Sequence, residues 1–152
     1  MTNKALVLAT AAAISAACSM QAYAQAKPET LVRQRQAAMT LQGKYFYPIR
    51  SMAQGKTPFD AKTVARNVGY LDALSAMPWD GFTPATKGVK SGATPAVFTD
   101  AAKFKEAQDL FQSEVMKLSE VVRKGGDDAV RPQILAVNKA CDSCHDTFRE
   151  RQ

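Results

Sequence analysis

Residues 127–148 read DDAVRPQILAVNKACDSCHDTF and contain the clearest helical pattern of the chain. The two aspartates at the start favour a helix N-terminus, and Pro132 is tolerated in the first turns of a helix. The side chains that follow recur at steps of three and four, which is the spacing of one helix face: Ile134, Val137, Cys141, Cys144 and Phe148. The sequence therefore predicts a helix that carries two cysteines on its inward face.

The same stretch contains Cys141-Asp142-Ser143-Cys144-His145, the pattern of covalent c-type haem attachment. Each thiol can add to a haem vinyl group, and the imidazole can bind the iron. On a helix, positions 141, 144 and 145 lie on one face, so that both sulfurs and the imidazole point at a single ligand. We therefore expect one haem c, bound through Cys141 and Cys144, with His145 as its axial ligand.

Two other interpretations of the cysteine pair are less favoured. A redox Cys-x-x-Cys motif would need a strand before it and a helix opening at the first cysteine, whereas this pair lies deep in a helical pattern. A closed zinc site would need four Cys, His or acidic ligands, and His145 is the only histidine of the chain.

The amino end resembles a secretory signal peptide. Lys4 precedes an apolar, alanine-rich run over residues 5–17, and Ala22-Tyr23-Ala24 has the small-x-small pattern of a cleavage site. This predicts a signal peptide over residues 1–24, cleaved after Ala24, a mature haem domain over residues 25–152 and export of the protein. The apolar run is too short to span a bilayer, and no membrane span is expected.

Lipid modification at Cys18 is an alternative, but Ser15-Ala16-Ala17 lacks the usual aliphatic residue at its first position. The formal net charge is +6, with basic and acidic residues interspersed and no charged run. A solvated surface explains this composition best, although a moderate positive excess also favours encounter with acidic redox partners. Nothing in the sequence suggests nucleic-acid binding.

The remaining sequence predicts three more helices and no strand. The first extends over about residues 28–53, with a candidate inward face of Leu31, Arg35, Met39, Phe46 and Ile49. The second follows Asp60 and ends before Pro78, and an irregular connection occupies residues 78–95. The third begins after Thr99-Asp100 and ends at Gly125-Gly126. Four helices with mostly short joints predict an all-α fold, an antiparallel four-helix bundle.

The order of several short segments strongly resembles cytochromes c′, over nearly all of the mature chain. These segments are Lys27-Pro28-Glu29, Arg35-Gln36, residues 55–60, Pro78-Trp79 with Phe82, Ala101-Ala102-Lys103-Phe104 and the final Cys-x-x-Cys-His-Asp-x-Phe-Arg. The resemblance implies a periplasmic four-helix bundle, usually a homodimer, with one covalent haem c. It also implies a histidine on one side of the iron, often no protein ligand on the other, and binding of nitric oxide and carbon monoxide. A role in nitric oxide defence or in electron transfer is implied with it.

Met39 decides between two interpretations of the iron's sixth position. By resemblance it occupies the distal position, where cytochromes c′ have an apolar residue and their low-spin relatives have a methionine ligand. A bound thioether suits one-electron transfer, whereas an open, apolar site suits neutral gases. Met39 can also be a simple space filler. The Arg35-Gln36 pair and the segment from Pro78 to Phe82 look like the high-spin members, which favours a five-coordinate iron.

Four further residues are candidates for haem contact. Arg35 lies on an apolar stripe and needs an acid, either a haem propionate or a surface carboxylate such as Glu29. Trp79 and Phe82 either cover the haem or act as ordinary core aromatics. Arg149 lies one turn beyond His145, beside the proximal ligand or at the carbonyls of the helix end. By resemblance, an arginine at this place influences which haem face nitric oxide occupies.

A haem enzyme is the third hypothesis and is disfavoured, because no second histidine is available as a distal acid or base. We therefore predict a protein that is not an enzyme.

Overall fold

The computed structural model describes residues 26–151, in which four long helices form a bundle. The helices are α1 (Pro28–Ala53), α2 (Ala61–Ser75), α3 (Ala96–Thr99), α4 (Ala101–Lys124) and α5 (Asp127–Phe148), of which α3 is a single turn. The only secondary-structure elements in this part of the chain are helices, which confirms the predicted all-α class. The predicted signal peptide and Cys18 lie outside the described residues. None of the helices over residues 26–151 is long and apolar enough to cross a membrane.

The helix ends follow the predicted local signals. Asp60 precedes α2, and its side chain accepts a hydrogen bond from the backbone N–H of Lys62 at 3.1 Å. A side-chain acceptor at this position satisfies one of the unpaired N–H groups of the first turn. Gly125 and Gly126 have φ values of +80° and +109°, which residues with a Cβ rarely adopt, and they separate α4 from α5.

The four long helices pack as antiparallel neighbours, and each contacts two others. Side-chain hydrogen bonds join three of these pairs. Gln42 donates to Leu74 O at 2.8 Å between α1 and α2, Gln112 donates to Ser75 O at 3.3 Å between α4 and α2, and Gln133 donates to Glu114 O at 3.0 Å between α5 and α4. Arg50 closes the ring by donating to Asn138 Oδ1 of α5 at 3.2 Å.

The inward face of α1 differs in part from the predicted face. Arg35, Phe46 and Ile49 are buried as expected, but Leu31 and Met39 are only half-buried. The buried set also includes Val32, Ala38 and Gln42. The reason is that the first half of α1 packs against the connection between α2 and α3, which turns its buried face toward that segment.

The connection over residues 78–95 is more regular than its composition predicted. It contains two 3-10 turns, Trp79–Gly81 and Pro84–Thr86. Each is closed by a local backbone bond, Phe82 N to Trp79 O at 3.1 Å and Lys87 N to Pro84 O at 3.1 Å. These turns place the aromatic side chains of the segment against the bundle.

Candidate functional site

The last two turns of α5 carry Cys141, Cys144 and His145. Cys141 packs against the main core of the bundle, whereas Cys144 packs against a smaller apolar cluster of Val97, Phe104 and Phe148. Both thiols are half-buried and free, and His145 is exposed. The helix therefore brings two unpaired thiols and an imidazole to one end of the bundle, as the motif predicted.

The surroundings favour the protonated form of both thiols and the neutral form of the imidazole. Burial, followed by the charges of Asp142 and Cys144, raises the pKa of Cys141 to about 12. Burial also raises the pKa of Cys144. Although His145 is exposed as a residue, partial burial of its ring and then the nearby Arg149 lower its pKa. A neutral imidazole is the form that binds a metal.

Trp79 links the surroundings of the two cysteines, because its side chain packs against both apolar clusters. Its ring centroid lies 6.2 Å from that of Phe82 and 5.9 Å from that of Phe104, and its Nε1 donates to Ser75 O at 2.6 Å. Phe82 and Phe104 pack edge to face at 4.8 Å. These aromatics form an apolar wall beside Cys144, the kind of lining that haem pockets have.

Arg35 is 3 % exposed, and its side-chain N–H groups donate to the connection between α2 and α3. Its Nη1 donates to Gly81 O at 2.7 Å and to Thr86 Oγ1 at 3.2 Å, and its Nη2 donates to Ser91 Oγ at 2.9 Å. The guanidinium also lies 4.2 Å from the centroid of the Phe82 ring. All of these partners are neutral, and burial lowers the pKa of Arg35.

The ion pairs over residues 26–151 leave Arg35 without a carboxylate. They join Lys103 to Asp100, Lys105 to Asp109 and Lys117 to Glu114. Among these residues, Arg35 therefore does not form the ion pair with Glu29 that was the alternative to a haem propionate. A buried cation held only by neutral acceptors suits a site that also receives an anionic group.

The other predicted residues lie at separate places. Met39 is half-buried on α1, one turn after Arg35. Gln36 is exposed and lines a surface groove that Lys87 and Lys90 also line. Arg149 follows the last turn of α5, and its N–H donates to His145 O at 3.1 Å. The structure thus brings Arg35, Trp79 and Phe82 into one cluster, and it places Arg149 at the histidine end.

Sequence reasoning missed the three acceptors of Arg35. Gly81 carried a weak signal, since it lies in the Pro78–Phe82 segment, but Thr86 and Ser91 have no motif around them. They become partners only because the connection folds back onto α1.

Within residues 26–151, no group of three or more His, Cys, Asp or Glu side chains is arranged to hold a metal ion. The zinc alternative for the cysteine pair therefore receives no support from this part of the chain.

The fold and this site define a class, the helical bundles with a c-type haem motif on the last helix. The model of the family described as Cytochrome C' matches residues 30–149. The chain is 39% identical over 127 residues to the cytochrome c′ of Alcaligenes xylosoxydans xylosoxydans, across 84% of this chain and 98% of that protein. It is 40% identical over 126 residues to that of Rubrivivax gelatinosus, across 82% and 98% of the two chains.

Solved structures agree with these relatives. The crystal structure of cytochrome c′ from Rubrivivax gelatinosus has a TM-score of 0.78 at 40% identity and covers 82% of this chain and 98% of its own. A nitric oxide complex of a cytochrome c prime variant from Alcaligenes xylosoxidans has a TM-score of 0.77 at 38% identity, with coverages of 84% and 99%. This chain therefore belongs to the cytochrome c′ family.

Members of this family bind one covalent haem c, and so does this protein. The donor set fits that group, because two free thiols and an imidazole share one helix end beside an apolar aromatic wall. As a family, cytochromes c′ are haem proteins that transfer electrons or bind gases.

Proposed function

We propose that this protein is an exported haem protein that binds nitric oxide and carbon monoxide at an iron whose only protein ligand is His145. The observation that carries the proposal is the meeting of Cys141, Cys144 and His145 at one helix end, in a chain without a second histidine. An iron with one protein ligand keeps a coordination position for a gas.

Each residue of the site has a distinct part in this proposal. Cys141 and Cys144 form the two thioether bonds, and His145 binds the iron through its neutral imidazole. When bound, the haem supplies the metal at which a gas or an electron is held. Met39 shields the open side without ligating, while Trp79 and Phe82 exclude water from the pocket.

The charged and polar candidates act on the periphery of the haem. Arg35 is the partner that we assign to a propionate, because its buried charge is met by neutral oxygens alone. Gln36, on the exposed side of the same turn, is assigned to the propionate edge. Arg149, close enough to His145 to lower the pKa of its imidazole, is assigned to the proximal side.

Relatives support the choice of ligands. Structures of cytochrome c prime from Alcaligenes xylosoxidans include variants with nitric oxide and with carbon monoxide bound. The proposal does not make the protein an enzyme, since the site offers no second histidine for acid–base chemistry. It includes a role in nitric oxide defence or in electron transfer with a redox partner.

Export to the periplasm and dimerisation complete the proposal. The sequence of residues 1–24 supports export with cleavage after Ala24. A homodimer is supported by large side chains that stay exposed on the first two helices, with Leu41 and Tyr47 on α1 and Tyr70 on α2. Light scattering of the purified protein measures the assembly directly.

Optical and electron-paramagnetic spectra of both oxidation states near neutral pH test the iron site. We expect high-spin signals and binding of carbon monoxide to the ferrous protein. A low-spin iron with a sulfur-to-iron charge-transfer band would instead identify a one-electron carrier with Met39 and His145 as ligands. Cys141→Ala and Cys144→Ala should each leave one thioether bond, which the pyridine haemochrome spectrum reports.

A further inference from the structure

Residues 91–94, which we name the strap, run between α1 and the end of α5. They belong to the connection that precedes α3, and they carry no motif that the sequence singled out. Their hydrogen bonds join two helices that carry candidate site residues, α1 with Met39 and α5 with His145.

The strap is bonded to the end of α5 by backbone and side chain. Thr94 N donates to Phe148 O at 3.0 Å, and Glu150 N donates to Gly92 O at 2.9 Å. These two bonds flank Arg149, which forms an antiparallel bridge with Ala93. Thr94 Oγ1 adds a bond to Thr147 O at 3.1 Å. The backbone just after His145 is therefore held by the strap and by its own helix.

The other end of the strap is bonded to α1 through one hydroxyl. Ser91 Oγ accepts from Arg35 Nη2 at 2.9 Å and from Ala93 N at 3.3 Å. The guanidinium is a rigid planar fork, and its Nη1 is already held by Gly81 O at 2.7 Å. The position of Nη2 is thereby determined, and Ser91 receives a charge-assisted bond of defined direction.

We propose that Ser91 is a positioning residue that couples Arg35 on α1 to the backbone around Arg149, which follows His145 at the end of α5. It acts through the strap and touches neither ligand. A change at Arg35 then alters the end of α5, whose His145 would bind the haem iron. This inference rests on the proposed function for its effect on the haem, whereas the coupling itself concerns the protein alone.

The test uses the full haem-loaded protein and the variant Ser91→Ala, with Ser91→Thr to restore the hydroxyl. Thr99→Ala is the matched control, because it removes an exposed hydroxyl that bonds only to Pro95 O at 3.4 Å. Amide hydrogen exchange at Thr94 and Glu150 reports the strap, and the iron–histidine stretching band reports the proximal ligand.

We expect Ser91→Ala to speed exchange at both amides about tenfold, since a half-buried acceptor of a charged donor is lost. The iron–histidine band should shift in the same variant. Ser91→Thr should restore both signals, and Thr99→Ala should change neither. Unchanged exchange in Ser91→Ala, or equal acceleration in the control, overturns the coupling.

The failures of this inference and of the proposed function are separable. Accelerated exchange with an unshifted iron–histidine band overturns the positioning role and leaves His145 as the ligand. Absence of any iron–histidine band in the unsubstituted ferrous protein overturns the proposed ligation, while the exchange rates still decide whether the strap couples the helices.

Discussion

Gly81→Ala probes the contact on which the connection and Arg35 both depend. Gly81 is buried in the first 3-10 turn, against α1. A Cβ at this position would lie 2.9 Å from Arg35 Cβ and 3.0 Å from Leu31 O, both of which belong to the first turns of α1. Neither atom is the end of a flexible side chain, so that the 3-10 turn itself must move away from the helix.

The cost follows from the two interactions that this movement disturbs. Overpacking of a close contact typically costs about 1–3 kcal/mol. Moving the turn also stretches the 2.7 Å bond from Arg35 Nη1 to Gly81 O, and a bond from a charged donor contributes about 1.5–3 kcal/mol. Since the bond is weakened rather than lost, we expect the free energy of unfolding to fall by about 2–4 kcal/mol.

Unfolding in guanidinium chloride, followed by circular dichroism, measures the change in the free energy of unfolding. We expect an unaltered m value. Gly69→Ala on α2 is the matched control, because a Cβ there meets nothing within 4 Å. The control should be more stable than the unsubstituted protein by about 0.5–1 kcal/mol, as expected for alanine within a helix. A Gly81→Ala midpoint at or above that of the unsubstituted protein would refute the reasoning.

Three further predictions concern the pocket, the pH dependence and the core. Met39→Ala should leave a high-spin spectrum unchanged and speed carbon monoxide association by about tenfold or more, measured by stopped flow; conversion from low to high spin would contradict a non-ligating Met39. Hydrogen bonds from Lys117 and then Gln133 lower the pKa of Glu114 below its ordinary value of 4.5. The ionised carboxylate therefore stabilises the fold fully above pH 4.5, and this stabilisation is lost as the pH falls through the lowered pKa. Glu114→Gln should therefore lose less stability than the unsubstituted protein on acidification below pH 4.5 in urea melts, and equal losses would count against the pairing. Ile134→Val, at a position with 0% exposure, should cost about 0.5–1.5 kcal/mol in the same melts, and a neutral effect would contradict tight packing there.

The helices could be predicted from the sequence because their signals are local. Steps of three and four, Asp60 before α2 and the glycine pair after α4 are each decided within a few residues. The haem motif was readable for the same reason, since one helix turn brings residues 141, 144 and 145 onto one face. The predicted bounds of α1 and α5 agree with the structure.

The exact buried face of α1 was less predictable. Apolar periodicity did not mark Val32, Ala38 or Gln42, which the structure buries in addition to the correctly predicted Arg35. An apolar stripe shows that a helix has an inward side. The segment packed against the helix decides which residues at the border of that stripe become buried. Here that neighbour is the connection with its two 3-10 turns.

By itself, the sequence determined an all-α bundle with one covalent haem c, and it predicted Cys141 and Cys144 as the attachment sites and His145 as the single candidate histidine ligand, because these depend on residue type and on spacing along a helix. Tertiary structure alone decided the partners of Arg35, which lie 46, 51 and 56 residues away at Gly81, Thr86 and Ser91. Hydrogen bonds across such distances form only when the connection folds onto α1, and no local pattern encodes that closure.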